Sequence, residues 1–161
     1  QVMALKGVPA FYLPALLASE NDIKSFSMTG QRRDLNREKF KQEKLSSVFK
    51  NPDSNANKNL RYLRNAMNVR AELSQFHPQS DMKCLSKDRA DIVVIKRGID
   101  SKSVFTIHNM TENKINYRFS DFDLPESSKN QLIMCDYLTT NKYNWKNIEL
   151  DPFQVIWLGF L

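Results

Sequence analysis

The chain has 161 residues, 41% hydrophobic and 26% charged, with four glycines and a net charge of +6. That balance excludes a disordered, fibrous or collagen-like chain and leaves room for one domain, or for a small domain and part of another. The longest apolar run, about Pro9 to Ala18, is interrupted by Pro14 and is too short to cross a bilayer as a helix. The positive charge does not single out nucleic acid. Arg32, Arg33, Arg37, Lys39, Lys41 and Lys44, and then Lys58, Arg61, Arg64 and Arg70, are spread along the chain with Asp34, Glu38 and Glu43 between them. This is the pattern of a solvated helical face, not of a stripe that tracks phosphates.

Taken in chain order, the first segment is Gln1 to about Ala18. No secretory leader pattern opens it, and Gln1 lies directly in apolar sequence, as expected of a chain cut from something longer. Its apolar run Gly7-Val8-Pro9-Ala10-Phe11-Tyr12 predicts a strand buried on both faces, as in a parallel sheet, with Pro9 near its end. Tyr12 is expected to be a buried structural residue.

The second segment, from Asn21 to Phe76, reads as helical with polar breaks. A short helix is predicted over Asn36 to Phe49, then a turn at Asn51-Pro52-Asp53-Ser54-Asn55 with Asp53 or Ser54 as a cap. Tyr62, Ala66, Val69, Leu73 and Phe76 recur at steps of four and three, widened by Leu60, Leu63 and Met67, which predicts a helix packed on a core. His77-Pro78 stops it, because a residue before proline disfavours the helical region.

The third segment, from Cys84 to Leu161, changes to period two. Strands are predicted over Asp91–Arg97, Val104–Asn109, Lys114–Phe119, Leu132–Leu138 and Pro152–Leu158, with short turns between them: a small antiparallel sandwich. Cys84 and Cys135 have no CxxC spacing and are expected to be buried free thiols of a reducing, cytoplasmic compartment. His77 and His108 lack metal-ligand spacing, so no metal is expected. Trp145 and Trp157, at strand positions, are expected to pack a core rather than stack on a sugar. A lone parallel strand is not a domain, so its neighbours are expected to lie upstream.

Strand, helices and β-module in that order resemble the end of an enzyme of the α-amylase superfamily, and the local sequence sharpens the resemblance. Gly7-Val8-Pro9-Ala10-Phe11-Tyr12 is similar to the final barrel strand of that superfamily, G-[IV]-P-x-[IFV]-Y. Leu16-Leu17-Ala18-Ser19-Glu20-Asn21-Asp22 and Thr29-Gly30-Gln31-Arg32-Arg33-Asp34-Leu35-Asn36-Arg37 resemble two linked segments of sucrose phosphorylases and their relatives. Ala71 to Pro78 looks like a helix end of the glucosylglycerate phosphorylase branch, with Gln75 in place of its usual alanine. Leu150-Asp151-Pro152-Phe153-Gln154-Val155-Ile156-Trp157-Leu158 resembles the closing strand of the family's β-domain.

The resemblance implies an α/β plus all-β fold. Residues 1–80 would be the last strand and helices of a (β/α)8 catalytic barrel, and residues 81–161 a C-terminal antiparallel β-sandwich. It implies a retaining phosphorylase in which a carboxylate attacks the anomeric carbon of an α-glucoside (sucrose, sucrose 6-phosphate or glucosylglycerate), an acid protonates the leaving oxygen and inorganic phosphate takes the glucosyl group, with no cofactor. The family's three carboxylates lie on earlier barrel strands and have no counterpart here. Arg37 matches an arginine that hydrogen-bonds the glucosyl ring, with Arg33 and Asn36 as softer candidates beside it. A guanidinium suits that role because its planar fork of donors holds two oxygens at once. Alternative readings are another glycosidase or glucan synthase of the superfamily, or a non-catalytic sandwich that binds carbohydrate or protein.

Overall fold

The period-two stretches of the C-terminal half pair as antiparallel strands. In a computed structural model that describes residues 1–36, 39–120, 123–124, 126 and 130–160, eight strands form. They are β1 (Met82–Cys84), β2 (Ile92–Arg97), β3 (Val104–Asn109), β4 (Ile115–Tyr117), β5 (Ile133–Asp136), β6 (Lys142–Asn144), β7 (Ile148–Leu150) and β8 (Val155–Gly159). Six make one sheet in the order β1-β2-β3-β8-β5-β6, and β4 pairs with β7 in a second. Every pairing is antiparallel, with Val94 opposite Ile107 and Ile107 opposite Ile156 at the centre. β2 and β3 meet after a short turn around Gly98–Lys102, so register is set locally. The small antiparallel β-module expected from the sequence is therefore present.

Alternation along each strand sends side chains to opposite faces. One face of the large sheet carries Val94, Phe105, Ile107, Ile156 and Leu158, which cluster with Tyr117, Ile148 and Leu150 of the small sheet and with Trp145. Phe119 stands edge-on to Phe105 and Tyr117, with ring centroids 4.8 and 5.0 Å apart, the offset geometry that ring quadrupoles favour. Trp145 and Trp157 are core residues, each 2% exposed. Central β3 is buried at every position, so its second face is covered as well. That face carries Arg97, Thr106, His108 and Trp157, and it is closed by Met3, Ala4 and Phe76, whose ring centroid lies 4.7 Å from that of Trp157.

Contacts divide the chain into two units: Gln1–Pro9 together with Asn68–Leu161, and Ala10–Met67. The second unit holds α1 (Leu13–Leu16), α2 (Ile23–Thr29), α3 (Gln42–Lys50) and most of α4 (Asn55–Glu72). Ser54 caps α4 by accepting from the Asn57 N–H at 3.2 Å, as expected. The Asn57 amide locks the preceding turn, donating to the carbonyls of Val48 (2.8 Å) and Asn51 (2.5 Å). The apolar stripe of α4 is only partly covered: Ala56 and Ala66 are buried, whereas Tyr62 and Met67 are 45% and 41% exposed.

Three expectations are corrected. Gly7–Tyr12 is irregular rather than a buried strand: Val8 is 81% exposed and Tyr12 55%. A strand exists only by hydrogen-bonding a neighbour, and no described segment of this chain pairs with these residues. The helix expected over Asn36–Phe49 begins only at Gln42, because Lys41 is extended (φ −79°, ψ 144°) and Arg32–Asn36 forms a separate 3-10 turn. The two cysteines are free, but Cys84 is exposed and Cys135 half-buried, since β1 and β5 lie towards the sheet's edges.

Gly159, at the end of β8, admits a close approach by Tyr137: a Cβ there would stand 2.5 Å from the phenol oxygen and 2.6 Å from the ring. Gly159→Ala is expected to lower stability by about 2 kcal/mol through overpacking. The loss should shrink in a Tyr137→Leu background, as read from urea melts of the single and double variants.

Candidate functional site

The two sequence segments that carry the phosphorylase resemblance meet in space, and the chain builds their junction from caps. α1 opens with Pro14 in its first turn, where a missing N–H removes no helical bond. Ser19 closes it, its N–H and hydroxyl both donating to the Pro14 carbonyl at 2.9 and 3.0 Å. From α4, the Asn59 amide donates to the carbonyls of Ala15 and Leu16, both at 2.9 Å. Both carbonyls lie at the C-terminal end of α1, where the last carbonyls lack i+4 helical partners, and that of Ala15 also accepts from the Ala18 N–H at 3.3 Å.

Asp22 then starts α2, its carboxylate accepting from the Ser25 N–H at 2.9 Å and the Ser25 hydroxyl at 2.6 Å. Asp22 is thus the N-cap of α2. At the far end of α2, the Thr29 hydroxyl donates to Asp34 at 2.6 Å and accepts from the Gln31 N–H at 3.2 Å. Finally the Asp22 N–H donates to the Leu35 carbonyl at 2.7 Å, closing residues 22–35 into one loop. The Asn21-Asp22 and Leu35-Asn36 steps are thus adjacent.

Arg33 and Asn36 lie exposed on the 3-10 turn Arg32–Asn36 that follows. Arg37, the leading candidate, lies outside the described residues. Beside the closed loop is a cleft of about 630 Å³, lined by apolar Leu17, Leu45 and Val48 and by polar Asn21, Lys24 and Lys39, among others. Neither Arg33 nor Asn36 is among its lining residues. Lys24 and Lys39 were not singled out by sequence reasoning, since each is one lysine in a chain with many. Asp22 and Asp34 both take part in the loop's own hydrogen bonds.

No protein-family model matches the chain. It is weakly homologous to glucosylglycerate phosphorylase of Escherichia coli strain K12, 19% identical over 157 residues that make up 98% of this chain and 26% of that protein. The chain thus spans about a quarter of the length of that relative. Among solved structures, an Anoxybacillus α-amylase superposes with a TM-score of 0.67 over 98% of this chain and 30% of its own, at 15% identity. Trehalulose synthase MutB from Pseudomonas mesoacidophila MX-45 superposes with a TM-score of 0.52 over 70% of this chain and 19% of its own, at 14% identity. The fold is that of the C-terminal region of α-amylase-family enzymes. No helix among the described residues is long and apolar enough to cross a membrane.

Proposed function

We propose that this chain is the C-terminal portion of a retaining glycoside phosphorylase of the α-amylase superfamily, which cleaves an α-glucoside with inorganic phosphate to give glucose 1-phosphate. The observation that carries the reading is the match to glucosylglycerate phosphorylase along 98% of the chain. The junction of its two motif segments at Asp22 and Leu35 supports it. In this reading residues 1–80 complete a catalytic barrel, residues 81–161 form its C-terminal β-domain, and the carboxylates that do the covalent chemistry come from barrel strands upstream. The nucleophile forms a glucosyl–enzyme ester and the acid protonates the departing oxygen. Phosphate then attacks the anomeric carbon with a second inversion, so configuration is retained.

Arg37 holds a hydroxyl of the glucosyl ring in this reading, with Arg33 and Asn36 orienting it from the preceding turn. All of that turn but Asn36 lies within the closed loop of residues 22–35. The protein needs no cofactor, works in the cytoplasm, and takes as substrate sucrose, sucrose 6-phosphate or glucosylglycerate.

The test is a glucose 1-phosphate assay on the longer protein that carries this chain. Phosphate-dependent release is expected, with no activity from residues 1–161 alone. Arg37→Ala should lower turnover by roughly 100-fold, the scale of a lost positioning contact, with the melting temperature unchanged. Release of free glucose independent of phosphate would instead assign a hydrolase of the same superfamily. A large fall in melting temperature with normal kinetics would make Arg37 structural.

A further inference from the structure

The second face of the large sheet holds a pair of arginines whose hydrogen-bond partners among the described residues are main-chain carbonyls. Arg97, on β2, is fully buried, yet among the described residues none of its hydrogen bonds goes to a carboxylate. One terminal nitrogen donates to the carbonyls of Ala4 (3.0 Å) and Leu5 (2.7 Å), and the other to that of His77 (3.0 Å). Arg70, in the last turn of α4, donates to the Gly7 carbonyl at 2.7 Å and to the carbonyl of Met3. Both guanidinium groups stack on the Phe76 ring, 5.2 Å from its centroid for Arg70 and 5.5 Å for Arg97. Phe76 in turn rests on Trp157. Gly7 has φ +105°, a conformation that side chains rarely adopt, although a Cβ there would meet nothing within 4 Å.

Burying a guanidinium among neutral acceptors is costly, and an apolar side chain of similar size would pack there at lower cost. What Arg supplies and an apolar residue does not is direction: a rigid fork spans several carbonyls and fixes the backbone that bears them.

We propose that Arg97 and Arg70, stacked on Phe76, are a latch that grips the carbonyls of Met3, Ala4, Leu5 and Gly7. The latch makes them positioning residues for the segment Val8–Tyr12 that follows. That segment is apolar, pairs as a strand with no described residue, and is solvent-exposed at Val8 and Tyr12. With little packing of its own at those positions, its start is set by the backbone before it. The consequence for catalysis rests on the phosphorylase reading, in which this segment borders the barrel site; the latch itself does not.

Two assays separate these claims. Lys6 lies between the gripped carbonyls of Leu5 and Gly7 and is exposed, so trypsin reports the latch directly. In Arg70→Met, and independently in Gly7→Ala, cleavage after Lys6 should accelerate about tenfold, while cleavage after Lys102 and Lys146 in the same digest stays unchanged, as for a local opening. Arg70→Lys, which keeps one donor arm, should restore part of the protection. In the longer protein, Arg70→Met should lower kcat for glucose 1-phosphate formation about tenfold with KM changed less than twofold.

Equal acceleration at all three lysines, or at none, would overturn the latch. Selective acceleration at Lys6 with unchanged kcat would overturn the positioning role. If the parent protein forms no glucose 1-phosphate, the phosphorylase reading and the catalytic consequence fall together, and the tryptic pattern still decides the latch.

Discussion

Asp136→Ala is expected to lower the free energy of unfolding by about 4 kcal/mol. Asp136 is fully buried at the end of β5. One carboxylate oxygen accepts from the Trp157 N–H at 2.7 Å and the Leu138 N–H at 3.2 Å, and the other from the Thr139 hydroxyl at 2.5 Å. It thereby stitches β5 to β8, strands that share only a short register of Cys135 opposite Gly159 and Asp136 opposite Leu158. Truncation strands buried donors, each costing about 1–3 kcal/mol when left unpaired. Asp136→Asn keeps an oxygen for the two main-chain donors and turns an amide towards Thr139, whose hydroxyl can accept as well as donate. Its cost should be only about 1–2 kcal/mol. Denaturant melts of the two variants measure the difference, and equal losses would show that the charge, not the hydrogen-bond geometry, is what β5 and β8 require.

The second large effect is a dependence on pH. His108 is 2% exposed, in the middle of the second sheet face, and neither ring nitrogen has a hydrogen-bond partner among the described residues. Burial pushes its pKa down to about 4. Above the ordinary histidine range both folded and unfolded chains carry a neutral ring and the group has no effect. As pH falls from about 6.5 to about 4, the unfolded chain takes up a proton that the folded chain refuses, so stability is lost across that window. The loss should reach about 3 kcal/mol near pH 4 and level off below it. His108→Leu should flatten that part of the stability–pH profile. A profile with the same slope in the variant would place the acid sensitivity elsewhere.

How much of this could be read from residues alone depended on range. β2, β3 and β8 stood out because each is a run of β-branched and aromatic residues buried on one or both faces, a local signal. β1, β6 and β7 are three residues each, too short to show a period, and β1 is exposed throughout, so no apolar alternation marks it. The break before α3 was invisible for a different reason. The Asp22 N–H draws the Leu35 carbonyl back across the loop, and that tertiary bond overrides the local helical preference of the residues that follow.

At the candidate site the same division holds. The order and spacing of the two motif segments were visible; their contact was not, since among the described residues it runs through the backbone, from the Asp22 N–H to the Leu35 carbonyl. Arg97 was read only as the end of a strand. Its burial depends on carbonyls of residues near the start of the chain, which no local pattern announces.

Those contacts also bear on how the molecule assembles. Joining Arg97 to the carbonyl of Ala4 closes a loop of 93 residues, for which chain entropy asks roughly 4 kcal/mol on a logarithmic law. The hairpins of the β-sheet close far shorter loops. The sheet's first face should therefore acquire hydrogen-exchange protection before residues 1–9 dock on its second. The same logarithm makes the intervening stretch forgiving. Doubling or halving the loop would change the closure term by only about 0.6 kcal/mol, so residues 10–67 can gain or lose length with little effect on the face that the chain's first residues cover.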